Sequence, residues 1–245
     1  MIGDVRTVMW KEWREWLRQG GSPRRGWLSL LLIVGVFGIF LPLQFGRAWI
    51  EEPALLIYWA WTPLFMTSSV VADSFAGERE RHTLETLLAS RLSDRAILAG
   101  KFGAAVSYGW GLTLGSLAAG LVTVNIAHGR GQLLMYPAPI FLSIIALSLL
   151  ATALTASIGV LVSLRAATMQ QAVQRLSLGI MVILFAPLLI FQVLPVQIKV
   201  SIGQALQSVD FSAIVLVAAA VLLALNAVFL SAALARFRRA QLILD

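Results

Sequence analysis

The chain has 245 residues, of which 59% are hydrophobic and only 13% charged, with a mean hydropathy of +0.84. A soluble domain of this length is more polar, so the composition places the chain in a bilayer and excludes an ordinary globular enzyme. Cysteine is absent and the two histidines, His82 and His128, lie far apart, which removes disulfides, thiolate chemistry and a His/Cys zinc cluster.

The first predicted element is a helix from Asp4 to Gln19. It places Val5, Val8, Met9, Trp13, Trp16 and Leu17 along one side while Arg6, Lys11, Arg14 and Arg18 project elsewhere. Tryptophan favours the headgroup level and basic residues meet anionic lipid there, so this reads as an interfacial helix, residues 1–22, ended by Gly20-Gly21-Ser22-Pro23. No cleavable signal peptide is apparent, because a charged, Trp-rich segment opens the chain.

Six apolar runs follow, each about 20 residues, the length that crosses a hydrocarbon core of about 30 Å. They are Gly26–Phe45, Ala54–Ala72, Phe102–Ile126, Pro139–Leu164, Leu176–Leu194 and Phe211–Ala235. Pro53 precedes the second, Ser93-Asp94 caps a helix leading into the third, and Asp210 or Ser212 caps the sixth. The expectation is an all-α membrane protein of six transmembrane helices in one domain, residues 1–245. All but three of the 19 Lys and Arg residues, Arg47, Arg130 and Lys199, fall on one side of these spans. That bias places both termini in the cytoplasm, and it explains the net charge of +7 as topology, with no nucleic-acid partner implied.

Within the spans, Gly111 and Gly115 form a GxxxG pair that suits close helix packing. No ionisable group lies deep in a span. The deep polar residues are Thr62, Thr67, Ser68 and Ser69 in the second, Gln192 in the fifth and Asn226 in the sixth. The hydroxyls have the option of bonding their own helix, whereas an amide at mid-span seeks a partner on another one.

One stretch is densely charged: residues 73–101, DSFAGERERHTLETLLASRLSDRAILAGK, between the second and third spans. Glu78, Arg79, Glu80 and Arg81 come first, and Leu84, Leu87 and Leu88 then recur at helical spacing. The spacing fits either a cytoplasmic docking helix whose apolar edge needs a partner or a solvated loop that obeys charge topology. Gly100-Lys101 is no P-loop, since Arg95 stands where its first glycine belongs and Phe102 where Ser or Thr is required. HExxH and GxSxG are missing too, so the chain reads as a non-enzyme.

The run Gly77, Glu78, Arg79, Glu80, Arg81, then Thr83, Leu84, Glu85, Leu87, Leu88 and finally Gly100-Lys101 resembles the cytoplasmic signature of the ABC transporter type 2 permeases. His82 departs from a position that is often Gly in that family, and Arg91 from one that is often Pro. The resemblance implies a transmembrane subunit of an exporter, paired with a second copy or a homologous permease in the cell membrane. It implies that Glu78, Arg79, Glu80, Arg81, Thr83, Leu84, Glu85, Leu87 and Leu88 couple the spans to cytoplasmic ABC ATPase subunits. Those partners, not this chain, would hold ATP and Mg. The family's second and fifth spans line the dimer seam, which makes Thr62, Thr67, Ser69 and Gln192 candidate pathway residues. Two other classes remain open on the residues alone: a membrane anchor for an ATPase doing mechanical work on an envelope partner, and a gradient-driven carrier, for which intramembrane carboxylates or inverted repeats would be expected.

Overall fold

The computed structural model describes residues 2–18, 31–208 and 210–237. These are helical nearly throughout, with no strand among them. Helix α1 is Ile2–Arg18 and α2 is the apolar Leu31–Phe45, which contains a π-helical turn at Val36–Phe40. A short α3, Ala48–Glu51, and a 3₁₀ turn at Pro53–Leu55 lead into α4, Leu56–Ala72, which continues through a π-helical turn at Asp73–Gly77 to Glu80. Then come the five-residue α5, Leu84–Leu88, and the long helices α6, Asp94–His128, α7, Ala138–Arg165, and α8, Met169–Val193. The chain closes with α9, Val196–Ser208, and α10, Phe211–Arg236.

Five helical segments among the described residues, Pro53–Glu80 and helices α6, α7, α8 and α10, are long and apolar enough to cross a bilayer. They correspond to the second to sixth predicted spans. The first, Gly26–Phe45, begins outside the described residues, as does the Gly20–Pro23 turn. Its described part, α2, is apolar but shorter than a full crossing. Ser93 caps α6 by accepting a hydrogen bond from the Ala96 amide at 3.3 Å, as its position before Asp94 suggests.

The core lies where α4, α6 and α7 meet. Small residues set the approach of these helices: a Cβ on Gly159 of α7 would collide with Val71 of α4, and one on Gly109 of α6 would collide with the Thr67 hydroxyl. Close approach substitutes for a hydrophobic driving force that lipid does not supply between apolar helices. The GxxxG pair does not make such a contact. Among the described residues nothing lies within 4 Å of a Cβ placed on Gly111 or Gly115, and the close contacts of α6 glycines fall instead on Gly100 (Val8), Gly103 (Met9), Gly109 and Gly120 (Trp49). Spacing marks helix faces but not which face meets a neighbour. Asn226 of α10 does bridge helices, donating to the Leu150 carbonyl of α7 at 3.0 Å.

Antiparallel alternation of the long helices sorts the molecule into two ends. One carries α1, α5, the α7–α8 turn and the end of α10, and most of the basic residues; the other carries α3, residues 129–137 and α9. Helix α8 contrasts with the core helices, since Leu178, Met181, Val182, Ile183, Phe185, Leu189 and Ile190 are all more than half exposed.

Candidate functional site

The charged run lies at the basic end, with Glu78 buried and Arg79, Glu80 and Arg81 nearer the surface. Glu78 is 2% exposed, and its Oε1 meets the Lys101 ammonium at 3.0 Å as well as that of Lys11. Lys101, only 1% exposed, also donates to Glu12 Oε1 at 2.8 Å and to the Ser74 carbonyl at 2.6 Å, with the Phe75 ring centroid 5.1 Å away. Lys11 reaches Glu15 one turn along α1 at 3.2 Å. Burial works to lower the Lys11 ammonium, but Glu12, Glu78 and Glu15 around it outweigh that and hold it above the usual lysine range. Three carboxylates, Glu12, Glu15 and Glu78, gather within 4.8 Å, a density that otherwise suits a metal ion. Two ammoniums already stand among them, so the chain supplies its own countercharge.

Next to this cluster, Asp73 and Arg81 form a two-pronged pair at 3.0 and 3.3 Å across the π-helical turn. Gly77 is required beneath it, because a Cβ there would strike the Asp73 carboxylate. The turn leaves backbone amides without their usual helical carbonyls, and Ser163 of α7 fills the gap. Its hydroxyl oxygen accepts from the Phe75 and Ala76 amides at 3.1 and 2.9 Å and donates to the Ala72 carbonyl at 2.8 Å. Arg79 donates to the Ala166 and Leu164 carbonyls at 2.5 and 3.1 Å, closing the end of α7, where a cation also meets the negative pole of the helix. Glu80 accepts from the Met169 amide at 3.0 Å and so caps the start of α8 with a carboxylate. That same end is fixed by Thr168, which accepts from the Gln171 amide at 3.2 Å, while the Gln171 side chain accepts from the Ala167 amide.

Each of the four consecutive charges, Glu78, Arg79, Glu80 and Arg81, therefore binds this chain. Glu78 ties α1 and α6, Arg79 ties α7, Glu80 ties α8, and Arg81 locks its own turn. The expectation that the apolar edge of α5 awaits a partner is corrected likewise: Leu84 is 5% exposed in the core and Leu87 packs against it. The Leu88 side chain is outside the described residues. What α5 presents outward is Glu85, Thr86 and Ala89, with Arg81, His82 and Thr83 beside them. His82 has φ 56°, in the left-handed region that favours glycine, the residue the resemblance expects at this position.

Sequence reasoning missed Glu12 and Ser163. Glu12 was visible as a carboxylate within the apolar stripe of α1, one turn from both Val8 and Trp16. Ser163 gave no signal, because nothing in a serine near a span's end announces a π-helical turn in another helix.

The pathway candidates do not share a face. Thr62 and Thr67 are fully buried within the chain; Thr62 donates to the Tyr58 carbonyl at 2.6 Å and Thr67 packs on Gly109. Ser69 and Gln192 are exposed, the latter at the end of α8, where its carbonyl accepts from Lys199 at 2.8 Å. Cysteine at Gln192 is thus expected to cross-link between copies if α8 lines a seam, whereas cysteine at Thr67 is not. Cross-linking through Thr67 would require α4 and α6 to separate at Gly109. A scan against protein-family models finds no match, and no curated protein matches the sequence significantly.

Proposed function

We propose that this chain is the transmembrane subunit of an ATP-binding cassette exporter, coupling ATP hydrolysis by separate cytoplasmic ATPase subunits to movement of a substrate across the cell membrane. One observation carries the reading: a short helix, α5, with a polar outer side stands on a base in which Glu78, Arg79 and Glu80 fasten α1, α6, α7 and α8 together. A solvated connecting loop has no use for buried ion pairs, each of which is costly to desolvate. A tip that receives force does, because displacement of α5 then moves α1, α6, α7 and α8 as a unit. Nucleotide would do work by binding differently to the states so linked.

In this reading six helices cross the membrane, α2 with its preceding residues being the first, and α1 is the interfacial helix. Both termini and the basic end face the cytoplasm, and the chain pairs with a second copy or a homologous permease. Since the chain lacks cysteine, the sides are directly testable. Thr86→Cys and Gln132→Cys both replace exposed residues, at opposite ends. An impermeant thiol reagent added to intact cells is expected to label Gln132→Cys and to reach Thr86→Cys only after permeabilisation. Equal labelling of the two would refute the topology.

The functional test is purification of the tagged chain from its native membrane. A copurifying P-loop ATPase whose turnover depends on this chain is expected. A homogeneous preparation without any ATPase would overturn the proposal.

A further inference from the structure

Helix α1 has two sides, and the core uses one. Val8 packs on Gly100 and Met9 on Gly103 of α6, Trp13 donates to the Ser107 hydroxyl at 3.1 Å, and Trp13 and Trp16 meet Tyr108 edge-on. The other side shows Ile2 at 86% and Trp10 at 66% exposure, with Arg6 and Arg14 exposed one turn before and after Trp10. Gly3, Arg6, Thr7, Met9, Trp10 and Trp13 line an open hollow of about 610 Å³ there. Nothing among the described residues covers it. Its floor is apolar and aromatic while its rim carries a guanidinium and a hydroxyl. Two of its lining residues, Met9 and Trp13, also meet Gly103 and Ser107, in the stretch of α6 where the third predicted span begins.

From this juxtaposition we infer that the outer side of α1 is a binding site for an anionic phospholipid, its phosphate held by Arg6 and its glycerol and upper acyl region lying on Met9, Trp10 and Trp13. The chemistry fits at each level. A guanidinium forms paired hydrogen bonds with phosphate oxygens. Indole rings settle at the boundary between headgroup and hydrocarbon. Arg14 adds a second positive charge one turn beyond Trp10 on the same row. A soluble protein partner is disfavoured, because the hollow opens beside a membrane-spanning helix and not at the tip formed by α5. The inference rests on the membrane reading of the chain, but not on transport.

The test is lipid retention. The full chain is purified in detergent containing an equimolar mixture of phosphatidylglycerol and phosphatidylcholine, and bound lipid is quantified by mass spectrometry. Wild type is expected to retain phosphatidylglycerol in preference. Arg6→Gln is expected to cut that preference by about fivefold, the factor that follows from the usual attraction of one basic residue to an anionic lipid surface. Arg91→Gln at the same end and Arg130→Gln at the other, both exposed, are expected to leave it unchanged. Absence of preference in wild type overturns the inference, as does preference that survives Arg6→Gln or falls equally in either control. Displacement by excess inorganic phosphate would assign the site to a free anion and overturn it too. Release of the chain from membranes by alkaline carbonate would overturn the membrane reading together with it, whereas a carbonate-resistant chain without lipid preference would overturn the lipid site alone.

Discussion

Lys101→Met is expected to destabilise the chain by about 3–5 kcal/mol, the usual cost of breaking a buried ion pair from one side. Methionine fills the space of the lysine stem, so the loss reflects charge and not a cavity. The Lys101 ammonium is held by Glu12, Glu78 and the Ser74 carbonyl. Without it Glu12, 3% exposed, keeps only the longer 3.4 Å contact to Lys11, and the Ser74 carbonyl loses a donor. In thermal unfolding of the purified protein, the midpoint should fall on the order of 10 °C. The double variant Lys101→Met with Glu12→Gln is the informative companion. It removes the stranded carboxylate and leaves the Lys11–Glu78 pair in place, so a large part of the lost stability should return. A Lys101→Met protein that melts like wild type, or a double variant no better than the single, would show that the cluster is not what fastens α1 to α6.

The long helices were legible because hydropathy over about 20 residues is a strong, redundant signal that survives error at any one position. Helices α7 and α10 begin and end close to where their apolar runs do, whereas Pro53–Glu80, α6 and α8 each continue past theirs at the basic end; the Ser93 cap falls where the sequence puts it. Contacts between helices were much less legible. Among the described residues the GxxxG pair at Gly111 and Gly115 meets no neighbour, while Gly109 and Gly159, which lie in no such pair, make close approaches. Periodicity gives the faces of a helix, but the choice among faces is settled by steric fit with partners distant in sequence.

The charged run shows the same limit in electrostatics. Four consecutive charges are by default solvated, yet Glu78, Arg79 and Glu80 find partners in distant parts of the chain: Glu78 meets Lys11 and Lys101, Arg79 the Leu164 and Ala166 carbonyls, and Glu80 the Met169 amide. Lys101 and Glu12 each stood in an apolar setting, and that anomaly was the available clue. A charge that interrupts an apolar stripe must find a partner or cost several kcal/mol.

Placing Glu78 inside the protein changes how docking is to be tested. Glu78→Lys would bring a third ammonium against Lys11 and Lys101, and the expected result is loss of the folded chain, which says nothing of a partner. Glu85→Lys is the clean experiment. Glu85 is exposed on α5, and a surface substitution of this kind ordinarily changes stability by no more than about 0.5 kcal/mol. If the outer side of α5 meets an ATPase subunit, placing a like charge against a basic receptor surface weakens that complex by about tenfold or more, mainly through faster dissociation. Glu85→Lys is therefore expected to retain the wild-type melting midpoint, to lose most of the copurifying ATPase and to lose stimulation of its turnover. Glu85→Gln, which removes the charge without reversing it, should fall between the two. Wild-type capture and stimulation in Glu85→Lys, with folding intact, would move the docking surface off α5. The α7–α8 turn, where Arg165 and the Thr168 cap lie, would then be the remaining candidate at the basic end.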